Sequence, residues 1–228
     1  MRVAFLIGAG ASVAAGLPST DQVTMRVLTG QGVSKVNDRW LVDCGEVARH
    51  PSAPKEATKP VVPFLGRIQC HCQDYFDKYQ KDRKVNYEDL YYAVAQISDH
   101  LHQEYENPAV EPFVCGISEA LRDNGILSPY SDSAGLKELA DEALSYIHWI
   151  VEGLLSPWPL RLDHVRCLVD AARDPPVRRV DVFTLNHDLV LEKVLRHFGI
   201  EVVDGFGAVR NGVRYWRPRS YEWSSSRC

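Results

Sequence analysis

The stretch Val3-Ala4-Phe5-Leu6-Ile7-Gly8-Ala9-Gly10-Ala11-Ser12 decides how the chain is read. Its apolar run is short and unbroken, the pattern of a strand buried on both faces of a parallel sheet. It stops abruptly in small residues, and Gly16-Leu17-Pro18-Ser19 then leads into a helix-like segment. Glycine has no Cβ and tolerates positive φ, so a turn at Gly8 and Gly10 lets the backbone come close to a ligand. Successive amide N–H groups in such a turn, with a helix behind them, bind phosphate. The same spacing also serves a tight strand-to-helix connection that binds nothing.

Ser19 with Gln22 three residues later is a capping-box pattern. It predicts a helix from Thr20 to about Leu28, stopped by Gly30. A second informative stretch lies far downstream. Arg179-Val180-Asp181-Val182-Phe183-Thr184-Leu185 reads as a strand with Asn186-His187-Asp188 at its C-terminal end. A helix from about Leu189 to Phe198 follows, closed by Gly199. In open α/β sheets ligands sit beyond the carboxyl ends of the strands, where both stretches fall. An Asn and an Asp there can hydrogen-bond ribose hydroxyls or orient a water. They are also favoured helix caps, a role compatible with the first. Glu201-Val202-Val203 is expected to be another short strand, and Val209 to Trp216 a hairpin around Asn211-Gly212.

Between these ends the text changes. From Gln31 to Pro63 periodicity is poor and prolines crowd, which predicts a surface loop. Phe64, Leu65 and Ile68 open a helix running through Tyr79. Asn86 is the expected N-cap of the next, with Leu90, Val94, Ile97 and Leu101 at helical spacing. Helical patterns continue over 111–124, 134–155 and about Asp163 to Arg173. Tyr87, Tyr91, Tyr92, Trp149 and Trp158 are expected to be core or helix-packing residues, and Arg173, Arg178 and Arg179 to form a solvated edge. The fold class expected is α/β: a Rossmann-like parallel sheet from residues 1–30 and 160–228, with a mostly helical insertion over about 60–158, all in a single domain.

Composition narrows the function. The 228 residues carry a net charge of −4, 45% hydrophobic and 25% charged residues, the profile of an ordinary globular chain. A broadly basic surface for nucleic acid is not implied, no apolar run is long enough to span a bilayer, and the first strand begins at Arg2, leaving no room for a signal peptide. A cytoplasmic protein without direct nucleic-acid or membrane contact is expected. Cys44, Cys70, Cys72, Cys115, Cys167 and Cys228 are scattered, so free thiols are the default. Cys70-His71-Cys72, with His50, has no second knuckle to complete a zinc site; a loop or helix start is expected there, and no metal.

The two ends together resemble the sirtuin-like family, and more closely its prokaryotic NAD-degrading branch used in phage defence. The residues that carry the resemblance are Gly8-Ala9-Gly10-Ala11-Ser12, Gly16-Leu17-Pro18-Ser19, Thr184-Leu185-Asn186-His187-Asp188 as a T-x-N-x-D element, and Asp204-Gly205-Phe206-Gly207. Asn86-Tyr87-Glu88-Asp89-Leu90 looks like a recurrent helix start of that branch. The resemblance is specific over 1–28 and 179–207 and loose over the helical middle. It implies NAD⁺ bound by Gly8, Ala9, Gly10, Ala11, Ser12, Leu17, Pro18, Ser19, Thr184, Asn186 and Asp188, with the pyrophosphate on the glycine turn. Asn186 takes the catalytic asparagine role and Asp188 helps hold its loop and the ribose. The implied reaction is cleavage of the nicotinamide–ribose bond to nicotinamide and ADP-ribose or a cyclised form. It is the work of an effector domain in abortive infection, fused to or partnered with a sensor and often homo-oligomeric.

Two departures qualify this. Deacylase sirtuins follow G-[IL]-P with Phe-Arg and carry a four-cysteine zinc module; Ser19-Thr20 and the scattered cysteines make protein deacylation the lesser alternative. The family also places a catalytic histidine in a Leu-His-Gly type element past the asparagine. No His-Gly follows Asn186 here; His187 falls at a variable position and His197 near a helix end. The expectation is that the chain stops short of that element and is catalytically incomplete, which keeps a non-catalytic NAD or ADP-ribose binding module as an alternative. A dehydrogenase fits less well, because Val13 breaks G-x-G-x-x-G and no acidic residue follows at the expected offset.

Overall fold

A computed structural model describes residues 1–43, 58, 60–104, 107–127, 133–186 and 188–206. The chain divides into two compact units, one of Met1–Gly16 with Trp158–Cys228 and one of Leu17–Pro157. The helix opened by Ser19 therefore groups with the helical unit.

In the first unit, β1 (Arg2–Ile7) pairs in parallel with β4 (Arg179–Thr184), in a register that sets Leu6 opposite Phe183 and Ile7 opposite Thr184. The N-terminal ammonium donates to the Pro176 carbonyl at 2.7 Å and Arg178 N–H to Met1 O at 2.8 Å, which fixes that register from the outset. The expected burial of β1 on both faces is not found: its residues alternate between exposed and half-buried, and Leu6 is 87% exposed. Among the described residues the sheet holds only β1 and β4, so neither strand has neighbours on both sides. Most of the buried side chains described in this unit come instead from α7 (Arg166–Arg173) and α8 (Val190–His197), with Leu168, Val169, Val190, Leu191 and Val194. Glu201-Val202-Val203 forms no strand, and Val203 is exposed; no described strand edge receives its backbone. Trp158 is also exposed rather than internal, its ring edge-on to His197. Arg173 is more than a solvated edge, since it donates to Phe198 O at 2.7 Å and ties α7 to the end of α8. The expected hairpin around Asn211-Gly212 lies outside the described residues.

The second unit holds α2 (Thr20–Thr29), the antiparallel pair β2 (Val33–Val36) and β3 (Arg39–Val42), and helices α3 (Val61–Tyr79), α4 (Tyr87–His102), α5 (Glu111–Asp123) and α6 (Ser133–Leu155). The caps read from sequence form as expected. Ser19 Oγ accepts from Gln22 N–H while Gln22 Oε1 accepts from Ser19 N–H, and Gly30 ends α2 at φ +62. Asn86 and Asp89 build the equivalent box on α4. The apolar spacing of α4 and α6 becomes the core, with Leu90, Val94 and Ile97 packed with Ala140, Ala143, Ile147 and Ile150. Tyr146 joins them, its ring edge-on to buried Trp40 at 4.9 Å.

The expected loop after Gln31 is partly a hairpin. Asn37 and Asp38 take φ of +48 and +60, the left-handed pair of a type I′ turn, and so allow β2 and β3 to pair tightly. Their alternation spans only four residues per strand, beside a proline-rich stretch that dominates the composition. Tyr91 and Tyr92 are exposed, in contrast to buried Tyr87, because the stripe that faces the core runs through Leu90, Val94 and Ile97 and both tyrosines fall beside it. Cys70, His71 and Cys72 lie within α3 rather than in a loop or at a helix start, and adjacent positions on a helix diverge. Among the described residues no three His, Cys, Asp or Glu side chains gather as a metal site. Nor is any described helix long and apolar enough to cross a membrane.

Candidate functional site

The parallel register brings the ends of β1 and β4 side by side, so Gly8 leaves one strand beside the residues leaving the other. The chain after Gly8 turns at once into a short helix, α1 (Gly10–Ala14), ahead of the helix expected at Thr20. Ala11 N–H donates to Gly8 O at 3.1 Å and Ser12 N–H to Ala9 O at 3.0 Å. Gly8 and Gly10 do not have positive φ; that conformation is used at Gly16, φ +94. What the two glycines provide is space, since a Cβ at either would meet no atom of the described residues within 4 Å. Among the described residues no acceptor takes the N–H of Ala9 or Gly10.

Ser12 is the hub. The residue is 5% exposed, and a buried hydroxyl must be paired. It donates to Asp188 Oδ2 and accepts from Asn186 Nδ2 at 2.9 Å. Asn186 Nδ2 also donates to Gly8 O at 3.1 Å. A carbonyl only accepts, so the amide nitrogen must face Gly8, and the orientation of the Asn186 side chain follows from the network. Both amide hydrogens are then used. Oδ1 is left as an acceptor to which no described residue donates.

The loop that carries Asn186 is shaped locally. Thr184 Oγ1 accepts from Asn186 N–H at 3.0 Å, turning the chain as β4 ends. Asp188 Oδ1 accepts from Val190 N–H at 2.9 Å, so this carboxylate joins α1 to the first turn of α8. A carboxylate there also suits the positive end of the helix. Of the residues expected at the site, the structure links Gly8, Ser12, Asn186 and Asp188 directly. Ala9, Gly10 and Ala11 form the adjoining turn, and Thr184 acts on Asn186 through its backbone. Leu17, Pro18 and Ser19 belong to the second unit, where the Ser19 hydroxyl is engaged in capping α2. His187 and Gly207 lie outside the described residues, whereas Asp204 takes up the N–H of Phe206 at 3.0 Å around Gly205.

Sequence reasoning missed His164, which reaches α1 with Nε2 2.8 Å from Ala11 O. It stands alone at the start of a helical segment, with no motif around it to single it out. His197 sits between Trp158 and Phe198 in edge-on ring contacts. Comparisons of this chain with protein-family models, curated proteins and solved structures returned no match.

Chemically, the cluster offers a backbone turn whose Ala9 and Gly10 N–H groups have no acceptor among the described residues and, beside it, the amide carbonyl oxygen of Asn186. The carboxylate of Asp188 is held one residue removed through Ser12. That combination can receive an anionic group at the turn and a hydroxyl, water or developing positive charge at Asn186 Oδ1.

Proposed function

We propose that this chain is an NAD⁺-cleaving effector of sirtuin-like type, built on a Rossmann-like core of which β1 and β4 are part. The observation that carries the reading is the Gly8–Ser12–Asn186–Asp188 network, which engages Asn186 Nδ2 and leaves Oδ1 with no donor among the described residues, next to the glycine turn. A pyrophosphate would suit the turn, because among the described residues nothing stands where a Cβ at Gly8 or Gly10 would be, and none accepts from the N–H of Ala9 or Gly10.

In the reaction proposed, the bond between nicotinamide nitrogen and ribose C1′ breaks with its electron pair going to nicotinamide, which leaves neutral. The ribose acquires oxocarbenium character, water attacks C1′, and its proton passes to solvent, giving ADP-ribose. In this reading Asn186 Oδ1 orients that water or a ribose hydroxyl, while its dipole favours the developing positive charge. Asp188 contributes through Ser12 by holding the amide in that direction. The biological setting that fits is abortive infection in the cytoplasm, with a sensor domain or partner, or self-association, controlling turnover.

The test is direct. Isothermal titration with NAD⁺ and ADP-ribose, and product analysis by mass spectrometry, are run on the chain and on Asn186→Ala. Release of nicotinamide that Asn186→Ala abolishes supports cleavage. Saturable binding of both ligands without release assigns a binding module instead, and no binding of either ligand sinks the reading.

A further inference from the structure

We propose that His164 is a positioning residue for Asn186, acting through α1. The inference rests on the reading of Asn186 as the group that meets substrate. With five residues, α1 is far too short to hold itself in water. Its geometry is therefore imposed by what grips it. On one side, Ala15 O accepts from Leu160 N–H at 2.8 Å and Arg161 N–H at 3.2 Å, while Ala11 O accepts from His164 Nε2 at 2.8 Å. The Leu160 side chain lies 3.3 Å from where a Cβ at Gly16 would stand, a close approach that glycine permits. On the other side, Ser12 holds Asn186 and Asp188.

His164 is exposed, but its neighbour Val165 is 3% exposed and pins the short 3-10 turn Asp163–Val165 that carries it. The Ala11 carbonyl accepts a helical bond from Ala15 N–H at 3.0 Å and the imidazole bond together. Because a carbonyl cannot donate, Nε2 must carry the hydrogen, and it does so in both the neutral and the protonated ring. The contact is thus a fixed strut rather than a pH switch. Ala11 and Ser12 are consecutive, so displacing the carbonyl of one moves the hydroxyl of the other, and with it the amide of Asn186. Losses of about 10²-fold follow ångström-scale misplacement of a reacting group.

Hydrogen exchange followed by mass spectrometry tests this on wild type, His164→Ala and His164→Gln, the last keeping an N–H donor at similar reach. Removing one strut bond is expected to speed exchange about three- to tenfold at Ser12, Val13 and Ala15. The same change is expected at Val190, whose N–H is held by Asp188 across the hub. His164→Gln is expected to restore both segments. In parallel, Kd for NAD⁺ rises about tenfold in His164→Ala and returns in His164→Gln, with little change in the unfolding midpoint. Wild-type exchange at Val190 in His164→Ala, or a general loss of stability that His164→Gln shares, overturns the proposal. If wild type binds neither NAD⁺ nor ADP-ribose, the functional reading falls, while the exchange at Val190 still decides whether His164 positions the loop.

Discussion

Asn186 donates its side-chain amide to the Ser12 hydroxyl at 2.9 Å, across a sequence separation of 174 residues. That bond joins the turn after the first strand to the loop after the last described one. It also makes Ser12 both donor and acceptor in one buried position.

Ser12→Ala leaves Asp188 Oδ2 and Asn186 Nδ2 short of a partner. Hydrogen bonds to a charged group contribute about 1.5–3 kcal/mol, so a loss of that order in stability is expected. Denaturant unfolding measures it, and NAD⁺ titration should show weakened binding at the same time. Wild-type values in both would remove Ser12 from the centre of the site.

Asn186→Asp is nearly isosteric but exchanges a double donor for an acceptor. It faces the Gly8 carbonyl, which can only accept, and the Ser12 hydroxyl, whose single hydrogen cannot serve both this carboxylate and Asp188. Turnover of a fluorogenic NAD⁺ analogue should fall by about 10²-fold or more, the scale of removing one oriented dipole. Activity within a few-fold of wild type would show that the amide is not the working group.

Gly153→Ala should destabilise the helical unit. Alanine favours a helix interior by about 1 kcal/mol over glycine, but the added Cβ would press into the Val42 side chain where β3 crosses α6. Overpacking costs about 1–3 kcal/mol, and a β-branched neighbour yields poorly. The net expected change is a loss of roughly 1 kcal/mol in urea unfolding; a gain would mean that Val42 moves aside freely.

Tyr146→Phe removes the donor that satisfies Val27 O at 3.0 Å inside the core. Burial also drives the Tyr146 hydroxyl well above its ordinary pKa, so it remains a neutral donor. A loss of about 1–2 kcal/mol is expected from the stranded carbonyl, checked by thermal unfolding of the two proteins side by side.

Stability should also depend on acid through Asp141. Burial pushes its pKa up, but hydrogen bonds from Ser98 and His102 and the charges of His102 and Lys137 outweigh that, and the net direction is down. A carboxyl depressed in the folded state stabilises above its unfolded pKa, near 4 for an aspartate. The contribution is lost as pH falls through the lower folded value. Wild type should therefore lose stability relative to Asp141→Asn as pH is lowered from 6 to 3; parallel pH curves would refute the assignment.

Local signals in this chain were legible wherever a short stretch carries its own physics. Ser19 with Gln22, Asn86 with Asp89, and the three-and-four spacing of Leu90, Val94 and Ile97 set helix starts and buried faces without outside help. The β2–β3 hairpin was not legible, because its four-residue strands sit beside prolines and its turn is Asn-Asp rather than Asn-Gly. The exposure of Leu6 and Phe183 was hidden for a different reason: an apolar run states what a strand would bury, not which neighbours exist to bury it.

The site divides in the same way. The residue types, a glycine turn after one strand and an Asn and Asp after another, are legible in the chain, since each follows from local backbone and hydrogen-bonding chemistry. Folding decided that Ser12 bridges the two and that Asn186 turns its amide nitrogen toward Gly8 O and Ser12 Oγ. It also decided that His164 grips α1. Those facts depend on contacts between residues more than 150 positions apart, and no periodicity or cap encodes them.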